Sequence, residues 1–371
     1  MRMLLAGGGT GGHLFPAVAL AQHLLMVEPG SSVLFVGTPW GIEARILPEL
    51  ELPLRTIAAR GLVGKSLLDK LLLGPLLLRS FGQSIRILHE FHPDVVVGVG
   101  GYASGPVVLA ARMLGLPTLI HEQNAAPGLT NRLLGRLVDR VCISFADMGD
   151  SFKRDHTVLT GNPLRQGMDD CPPVPAGVPH LLIFGGSRGA RVINDVVVAM
   201  LPALARFRGK LNIRHQTGVE DFERVRQEYQ QAGWEEAEVV PFIDDMAAAY
   251  AQSHLVICRA GATSLAELTA CGRPAILIPY PHAAADHQTV NAQALAARGA
   301  ALMLPQAELN PEVLAHLVGD LLEDRERLLT MAGAAWSLGK KGAAERILQE
   351  CRNISRSADS GATKLTYNKE V

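Results

Sequence analysis

The 371-residue chain has little of several features that mark specialised classes of protein. Its five cysteines lie far apart and form no CxxC pair, so the sequence offers neither a disulfide framework nor a thiolate zinc site. The formal net charge is -1, which argues against non-specific binding to nucleic acid. No apolar run approaches the ~20 residues of a membrane-spanning helix, and no signal peptide is expected because strand-like residues follow Met1 and Arg2 directly.

Hydrophobic residues, by contrast, make up 48% of the chain, and their pattern predicts the fold. The chain is too long for one ordinary core, so we expect two domains. Short apolar runs alternate with longer helical segments, and the runs are almost continuously apolar, as in strands buried on both faces of a parallel sheet. These runs are residues 33–36, 95–99, 118–120, 141–143, 181–184, 255–258 and 275–278. We therefore predict the α/β class with doubly wound parallel sheets.

A proline-rich segment, residues 171–179, separates two halves that open in the same way. Each half begins with a strand, a glycine-rich turn and a helix, and the two turns are residues 7–12 and 185–190. Two similar sheets that face each other across a cleft explain this repeat.

The linker between the halves is predicted to begin near Asn162. The predicted domains are therefore residues 1–163 and 164–340. The polar residues 352–371 are expected to form a mobile tail.

The first glycine turn, residues 7–12, leads from an apolar strand into a helix. Glycine lets the backbone approach a ligand closely, and the free N–H groups of a helix start favour an anion. A tight turn that merely needs small residues is the alternative. A dinucleotide-binding fingerprint would require an acidic residue directly after the second strand, whereas Glu43 comes later.

His13 follows this turn at the helix start. The helix dipole disfavours a protonated imidazole at that position. A neutral imidazole in a cleft is a candidate general base. A histidine that only caps or packs is the alternative.

Two further polar segments follow strands of the first half. A second glycine turn, residues 98–106, leads into a helix at the same edge of the sheet as the first. It suits a phosphate-bearing substrate, or simply the close packing of helix on sheet. Asn124 offers both a donor and an acceptor to a sugar, and Glu122 is either part of such a site or an internal anchor of its loop.

The second half carries candidate groups for phosphates and a ribose. Arg165 lies near the linker, where a guanidinium can grip a diphosphate with two hydrogen bonds or form an ordinary surface salt bridge. Ser187, in the third glycine turn, offers its hydroxyl to a phosphate. Residues 259–267 form another turn of small residues into a helix. Glu267 can accept two hydrogen bonds from a ribose diol, or act in a cap.

A last polar cluster contains Asp286, His287 and Gln288 ahead of a helix, which suits sugar hydroxyls. His282, Asp286 and His287 could in principle hold a metal ion. No other cluster completes the coordination shell, so we expect no metal site.

Seven motifs occur in order along the chain, and the ordered set is far more specific than any one of them. They are GGGTGGHLFPA, GVGGYASGP, HEQNAAPG, GNPLR, GGSRGA, RAGATSLAE and DHQTVNA. Together they resemble glycosyltransferase family 28, the peripheral-membrane N-acetylglucosaminyltransferases of bacterial peptidoglycan synthesis. The resemblance covers nearly the whole chain except the tail. It implies the GT-B fold, two Rossmann-like domains facing across a cleft, with the helix at about residues 341–351 returning to the N-terminal domain.

The resemblance also implies a role for each matching residue. The C-terminal half would hold UDP-N-acetylglucosamine, with Ile243 at the uracil, Glu267 at the ribose and Arg165 at the diphosphate. All residues implied for this donor are Thr10, Gly11, Gly12, Asn124, Arg165, Ser187, Ile243, Ala262, Thr263, Ser264, Leu265, Ala266, Glu267 and Gln288. Those implied for the acceptor diphosphate are Gly9, Gly100, Gly101, Tyr102 and Ser104.

The implied reaction is a single inverting displacement. The C4 hydroxyl of the muramoyl sugar of undecaprenyl-diphospho-MurNAc-pentapeptide, called lipid I, attacks C1 of N-acetylglucosamine. His13 takes the proton and UDP leaves, which gives lipid II. Helix starts and Arg165 ease the departure of UDP, so we expect no metal and no cofactor.

Residues 62–88 combine many leucines with interspersed lysines and arginines. Gly74 and Pro75 are expected to break this stretch, so that it lies on an anionic membrane rather than spanning one. Ordinary core helices are the alternative. A lipid-linked acceptor favours the membrane, on the cytoplasmic side of the bacterial inner membrane, with cell-division and cell-wall synthesis proteins as further candidate partners. The residues expected at the membrane are Leu68, Leu72, Leu76 and Arg79.

Two other interpretations remain open from the sequence. A UDP-N-acetylglucosamine 2-epimerase or another GT-B transferase would share the nucleotide-sugar half. The first glycine turn and the apolar, basic stretch favour a lipid acceptor instead. A non-catalytic nucleotide-sugar-binding scaffold would have no use for a base at His13.

Overall fold

The computed structural model describes residues 1–59, 73–146, 151–186, 189–283 and 286–367. The chain divides into two compact units. The first is Met1–Leu164 together with Gly342–Val371, and the second is Arg165–Lys341.

Strands and helices alternate through the first unit. In chain order they are β1 (Arg2–Gly7), α1 (Gly11–Val27), β2 (Ser32–Gly37), α2 (Glu43–Glu49), β3 (Leu54–Thr56), α3 (Leu73–Phe91), β4 (Val95–Gly100), α4 (Ser104–Met113), β5 (Thr118–Glu122), α5 (Leu129–Leu134), β6 (Arg140–Ile143) and β7 (Thr157–Leu159). Within the described residues the strands form one parallel sheet in the order β3-β2-β1-β4-β5-β6-β7.

The second unit repeats this plan. Its elements are β8 (His180–Phe184), α6 (Arg191–Met200), β9 (Asn212–Gln216), α7 (Phe222–Gln231), β10 (Glu238–Val240), α8 (Met246–Gln252), β11 (Leu255–Cys258), α9 (Ala262–Ala270), β12 (Ala275–Leu277), α10 (His287–Ala296), β13 (Ala301–Met303), α11 (Pro311–Glu323) and α12 (Arg325–Leu338). Its described strands form a parallel sheet in the order β10-β9-β8-β11-β12-β13.

Both sheets are wound in the same way, outward from their first strand to one side and then to the other. The direction of winding therefore reverses between β1 and β4 in one unit and between β8 and β11 in the other. Ligands of doubly wound folds bind at such reversal points, at the carboxyl ends of the strands. The predicted α/β class with two doubly wound parallel sheets is confirmed.

Side chains of β1 alternate between two apolar layers, which explains its continuously apolar sequence. Met3 and Leu5 pack into one core cluster, and Leu4 and Ala6 pack into another on the opposite face. All four side chains are fully buried. Each fully buried large apolar side chain contributes about 1.5–3 kcal/mol, so a strand inside such a sheet must be apolar on both faces.

The final helix, α13 (Ala343–Tyr367), includes residues of the predicted tail, which begins at residue 352. It packs in the first unit, where Ile347, Cys351 and Ile354 join the core cluster around α1. Arg352, the first residue of the predicted tail, pairs with Glu28 at 2.8 Å and with Glu345 at 2.7 Å. Asn353 and Arg356 are exposed while Ile354 between them is buried, as on an amphipathic helix.

Five strands were absent from the sequence prediction. Four of them, β3, β7, β10 and β13, have three residues each and lie at sheet edges. The fifth, β9, contains His215, which is fully buried between Asn194 and Tyr229 at 3.1 Å from each. These hydrogen bonds let a polar side chain occupy a core position, which interrupts the apolar run.

No helix in the described ranges is both long enough and apolar enough to cross a membrane. Gly74 and Pro75 lie in the first described turn of α3, and residues 60–72 fall outside the described residues, so the predicted break stays a prediction. Leu68 and Leu72 fall outside the described residues.

Candidate active site

The two glycine turns of the first unit meet where β1 and β4 end side by side. Gly7 pairs with Gly100 across the two strands, and a Cβ on Gly7 would lie 2.3 Å from the Gly100 carbonyl oxygen. A Cβ on Gly101 would lie 2.4 Å from the Gly8 carbonyl oxygen. Gly7 and Gly101 also have φ angles of +147° and +81°, which side chains rarely adopt. The turns therefore pack backbone against backbone, and only glycine fits at these positions.

The carboxylate of Glu43 fixes the first glycine turn. Glu43 is 1% exposed in the first turn of α2, and its Oε2 accepts a hydrogen bond from the Gly9 N–H at 2.7 Å. Its Oε1 accepts from the N–H and the hydroxyl of Thr38 at 2.8 and 2.9 Å. A Cβ on Gly8 or on Gly37 would lie 2.5 Å from this side chain. The turn is thus built around a buried carboxylate and has no room for larger residues.

His13 lies in the first turn of α1, beside the second glycine turn. Its Nδ1 is 3.1 Å from the hydroxyl of Thr10. A Cβ on Gly100 would lie 3.0 Å from His13 Nε2, so the imidazole ring is against the second turn. His13 is half-buried and Thr10 is exposed. The ring is therefore held between the two turns with one nitrogen next to a hydroxyl that can orient it.

The carboxyl end of β5 is a buried polar network. His121 is 1% exposed, its Nδ1 accepts from the Gln123 amide at 3.1 Å, and its Nε2 donates to the Gly161 carbonyl at 3.0 Å. Burial, with a smaller contribution from the nearby His13, lowers the pKa of His121 to about 4 against the opposing effect of its hydrogen bond to the Gly161 carbonyl. His121 is therefore neutral near pH 7 and acts as a fixed element of the scaffold.

Glu122 anchors the loop that carries Asn124. Its Oε1 accepts from the backbone N–H and the side-chain amide of Asn124 at 3.0 and 3.2 Å. Its Oε2 accepts from the Gly128 N–H at 3.1 Å and from the Asn131 amide at 2.9 Å. Of the two interpretations of Glu122, these contacts support the internal anchor. Asn124 remains half-buried, with its amide oriented by that carboxylate.

The remaining acceptor candidates of the second turn differ in exposure. Tyr102 is 53% exposed. Ser104 begins α4 and is fully buried, and a Cβ on Gly98 would lie 2.6 Å from its Oγ. Because this hydroxyl packs against β4, a role for Ser104 toward a phosphate depends on its backbone N–H.

In the second unit, Glu267 and Arg165 form an ion pair. Glu267 lies in α9 and is 2% exposed, and its Oε1 is 3.2 Å from Arg165 Nε. Its Oε2 accepts from the Tyr250 hydroxyl at 3.3 Å. Burial raises the pKa of Glu267, and the Arg165 charge and the Tyr250 hydrogen bond oppose that rise. The two residues expected at the ribose and the diphosphate are thus neighbours.

The start of α9 presents the other predicted phosphate-binding groups. Ser264 and Ala266 are half-buried. The buried members of the turn are Ala262, Thr263 and Leu265. Because the Leu265 side chain belongs to the core, this residue can offer a ligand only its backbone. Asn291 of α10 donates to the Ala260 carbonyl at 3.1 Å and so ties the next helix to this turn.

The remaining donor candidates follow β10 and β12. Ile243 is buried just before α8, and Gln288 is half-buried in α10 with its Oε1 accepting from the Tyr280 N–H at 3.0 Å. Ser187 lies outside the described residues. Across the described part of the chain, no group of three or more His, Cys, Asp or Glu side chains is arranged to hold a metal ion.

Sequence reasoning missed Glu43 and Tyr250, which support the candidate residues. The signal for Glu43 was weak: Gly37 and Gly41 bracket the loop ahead of it, and both approach its carboxylate. Tyr250 carried no local signal, because its hydroxyl reaches Glu267 only after α8 and α9 have packed.

The chain matches known proteins along nearly its whole length. Models of the N-terminal and C-terminal domains of glycosyltransferase family 28 match residues 3–143 and 180–347. A relative from Syntrophotalea carbinolica is named UDP-N-acetylglucosamine--N-acetylmuramyl-(pentapeptide) pyrophosphoryl-undecaprenol N-acetylglucosamine transferase. It is 61% identical, over 95% of this chain and 99% of the relative.

Two solved structures share the fold. The crystal structure of Acinetobacter baumannii MurG has a TM-score of 0.76 at 35% identity, covering 95% of this chain and 99% of that one. A UDP-GlcNAc 2-epimerase from Neisseria meningitidis, solved bound to UDP-GlcNAc, has a TM-score of 0.63 at 14% identity, covering 94% and 99%. The predicted GT-B fold is confirmed by the first likeness, and the epimerase shares the fold alone.

Proposed function

The chain belongs to glycosyltransferase family 28, and we propose that it transfers N-acetylglucosamine from UDP-N-acetylglucosamine to the C4 hydroxyl of the muramoyl sugar of lipid I, with inversion at C1. The product is lipid II, the disaccharide precursor of peptidoglycan. The observation that carries this proposal is the 61% identity, over 95% of the chain, to a relative named for this transfer.

The Arg165–Glu267 pair supports a donor site in the second unit. The Glu267 carboxylate is buried, while the Arg165 side chain is 32% exposed and can move. A ribose diol that donates to Glu267 would replace the guanidinium, which would then be released to the departing diphosphate. Helix α9 starts nearby, and its first N–H groups add a favourable site for phosphate oxygens. Charge that develops on UDP would thereby be stabilised by the start of α9 and by the released guanidinium.

The position of His13 supports its role as the base. When Nδ1–H donates to the Thr10 hydroxyl, Nε2 carries the lone pair. Nε2 then accepts the proton of the C4 hydroxyl while that oxygen forms its bond to C1 of N-acetylglucosamine. The bond from C1 to the β-phosphate oxygen breaks on the opposite face, so the configuration at C1 inverts. The glycine turns, at Gly9 and at Gly100 and Gly101, present backbone to the acceptor diphosphate.

An apolar surface on the first unit supports docking on an anionic membrane. On α3, Leu78 is 75% exposed and Arg79 is exposed beside it, while Leu76 is half-buried. Helix α4 packs next to α3 and carries Met113, which is 70% exposed. Exposed leucines flanked by arginine are suited to the headgroup region of a bilayer. A lipid-linked acceptor would then be reached from the membrane surface, on the cytoplasmic side.

The test is direct transfer of label. The protein is incubated with radiolabelled UDP-N-acetylglucosamine and a short-chain lipid I analogue, and label is counted in the lipid fraction. We expect His13→Ala to lower turnover at least ~100-fold while the affinity for UDP-N-acetylglucosamine stays the same. His316→Ala, which changes an exposed histidine of the second unit, serves as the matched control. Absence of label with the native chain would contradict the function, and native turnover in His13→Ala would contradict the base.

A further inference from the structure

Arg273 lies fully buried beneath the second unit's candidate site and organises two cysteines. It is 1% exposed, and its Nε donates to the Tyr250 carbonyl at 2.6 Å. Its Nη1 donates to the Cys271 carbonyl at 2.7 Å, and its Nη2 lies 3.6 Å from Cys171 Sγ. Nη2 also donates to the Pro172 carbonyl at 2.7 Å. A buried guanidinium is thus directed at a thiol and fixed there by backbone carbonyls.

The two thiols of this cluster are neighbours. Cys171 is 5% exposed and Cys271 is fully buried, and Cys271 Sγ lies 3.8 Å from Met168 Sδ. Both residues also converge on Met168. Its carbonyl accepts from the Cys171 N–H at 3.3 Å and lies 3.9 Å from Cys271 Sγ. The backbone on both sides therefore keeps the two sulfur atoms together.

The environment of Cys171 differs from that of the other cysteines. The neighbouring Cys271 thiol, helped by the Arg273 charge, lowers the pKa of the Cys171 thiol below its ordinary value. The neighbouring Cys171 thiol and burial raise the pKa of Cys271. Burial raises the pKa of Cys351 to about 12 and that of Cys142 as well, although these two thiols are also close to each other. Cys171 is thus the thiol most readily converted to a nucleophilic thiolate.

The pair joins two segments that carry candidate donor-binding residues. Cys271 is the C-cap of α9, four residues after Glu267. Cys171 follows Arg165 along the same segment of the second unit. Tyr250 connects the cluster to the site, since its carbonyl binds Arg273 and its hydroxyl binds Glu267. Movement of either cysteine is therefore transmitted to the Arg165–Glu267 pair.

We propose that Cys171 and Cys271 form an oxidation-sensitive pair, which a hydroperoxide converts to a disulfide that ties the Arg165 segment to helix α9. The proposal assigns a modification site to the second unit. The adjacent thiols, the guanidinium held against one of them and the shared Met168 contact carry it.

The chemistry takes two steps. The Cys171 thiolate attacks one oxygen of hydrogen peroxide, the O–O bond breaks, and the product is a sulfenic acid with hydroxide, which a proton converts to water. The Cys271 sulfur then attacks the Cys171 sulfur, the S–O bond breaks, and the hydroxyl leaves as water with the Cys271 proton. One peroxide is reduced to two waters while two thiols become one disulfide.

The bond would distort the donor site. The two sulfur atoms must move closer to reach the ~2.05 Å of a disulfide. A displacement of about 1 Å near a binding site can cost up to ~100-fold in activity, so we expect at least a ~10-fold rise in the KM for UDP-N-acetylglucosamine. This consequence rests on the proposed function, whereas formation of the disulfide does not.

The first experiment measures oxidation alone. The reduced full-length chain is treated with hydrogen peroxide, its free thiols are alkylated, and its peptides are examined by mass spectrometry before and after reduction. We expect Cys171 and Cys271 to lose alkylation together, with a linked peptide that a thiol reductant separates. All five cysteines are buried, but burial raises the pKa of Cys142, Cys258 and Cys351, so these three serve as internal controls and should not react at that rate. Equal reaction of all five cysteines, or no linked peptide, would overturn the proposal.

Two variants separate the steps. In Cys271→Ser the reaction should stop at the Cys171 sulfenic acid, which dimedone traps, and in Cys171→Ser no dimedone adduct should form at Cys271. Thermal melting of both variants checks that they fold. Donor KM is then measured for oxidised and re-reduced native protein. A disulfide that leaves the KM unchanged would overturn the effect on the donor site while leaving the transferase function intact, and loss of transfer in the reduced protein would instead contradict that function.

Discussion

Replacement of Glu43 by glutamine tests whether a buried carboxylate holds the first glycine turn. The carboxylate accepts three hydrogen bonds, from Gly9 N–H at 2.7 Å and from the N–H and hydroxyl of Thr38 at 2.8 and 2.9 Å. In Glu43→Gln the amide oxygen can keep the two bonds to Thr38, but the NH₂ group then faces the Gly9 N–H. One charge-assisted bond is lost, worth about 1.5–3 kcal/mol, and the other two weaken because the acceptor is neutral.

We therefore expect Glu43→Gln to lose about 3 kcal/mol of stability in the first unit. At about 2–4 °C per kcal/mol for a unit of this size, calorimetry should show a melting transition roughly 6–12 °C lower. The kcat/KM for the lipid acceptor should fall as well, because the turn beside His13 is released. Glu49→Gln is the matched control, since Glu49 is exposed on the same helix. If both variants melt with the native protein, Glu43 does not hold the turn as reasoned.

Three further predictions follow from the two units. Glu267→Gln should weaken UDP-N-acetylglucosamine binding ~10–100-fold in calorimetry, since a hydrogen bond to a charged group is worth about 1.5–3 kcal/mol, whereas exposed Glu312→Gln should have no effect. Burial lowers the pKa of His121 to about 4 and that of His215 to about 3. Both imidazoles are neutral in the folded protein, so each contributes its full share of the free energy of unfolding above pH ~6.5. As the pH falls from ~6.5 toward 4, each histidine lowers the free energy of unfolding by about 1.4 kcal/mol per pH unit. Denaturation curves at several pH values that lack this slope would refute the prediction. Leu78→Glu should abolish flotation with anionic vesicles, while Met26→Glu, an exposed apolar residue on α1, should still float.

The doubly wound fold could be predicted because its signals are local. Residues 95–99 are buried on both faces of a sheet, and such a strand has no polar positions in its sequence. The search for apolar runs missed strands that are very short, and it missed a strand that contains a buried, hydrogen-bonded polar side chain. The edge strands are too short to show a run, and β9 hides a buried His215 whose nitrogens both find partners. Helix α13 was ended too early because polar residues follow Cys351 in the sequence, although exposed Asn353 and Arg356 flank the buried Ile354.

The sequence also predicted some features of the candidate site and missed others. The positions of His13, Asn124 and Glu267 after strands could be predicted from the chain alone, because a turn from a parallel strand into a helix always opens at the same edge of the sheet. Their supporting contacts could not. Glu122 had two equal interpretations until its four hydrogen-bond donors were known. The orientation of the His13 ring depends on Gly100, which is distant along the chain.

The sequence by itself determined the α/β class, the repeat of strand, glycine turn and helix in each half, and the family to which the chain belongs. These depend on local periodicity and on ordered motifs, which need no knowledge of packing. Only the tertiary structure decided that Glu43 lies beneath the first turn, that Arg165 pairs with Glu267, and that Cys171 and Cys271 both contact Arg273. Each of these contacts joins different segments of the chain, and no local pattern encodes which side chains meet once the helices and strands have packed.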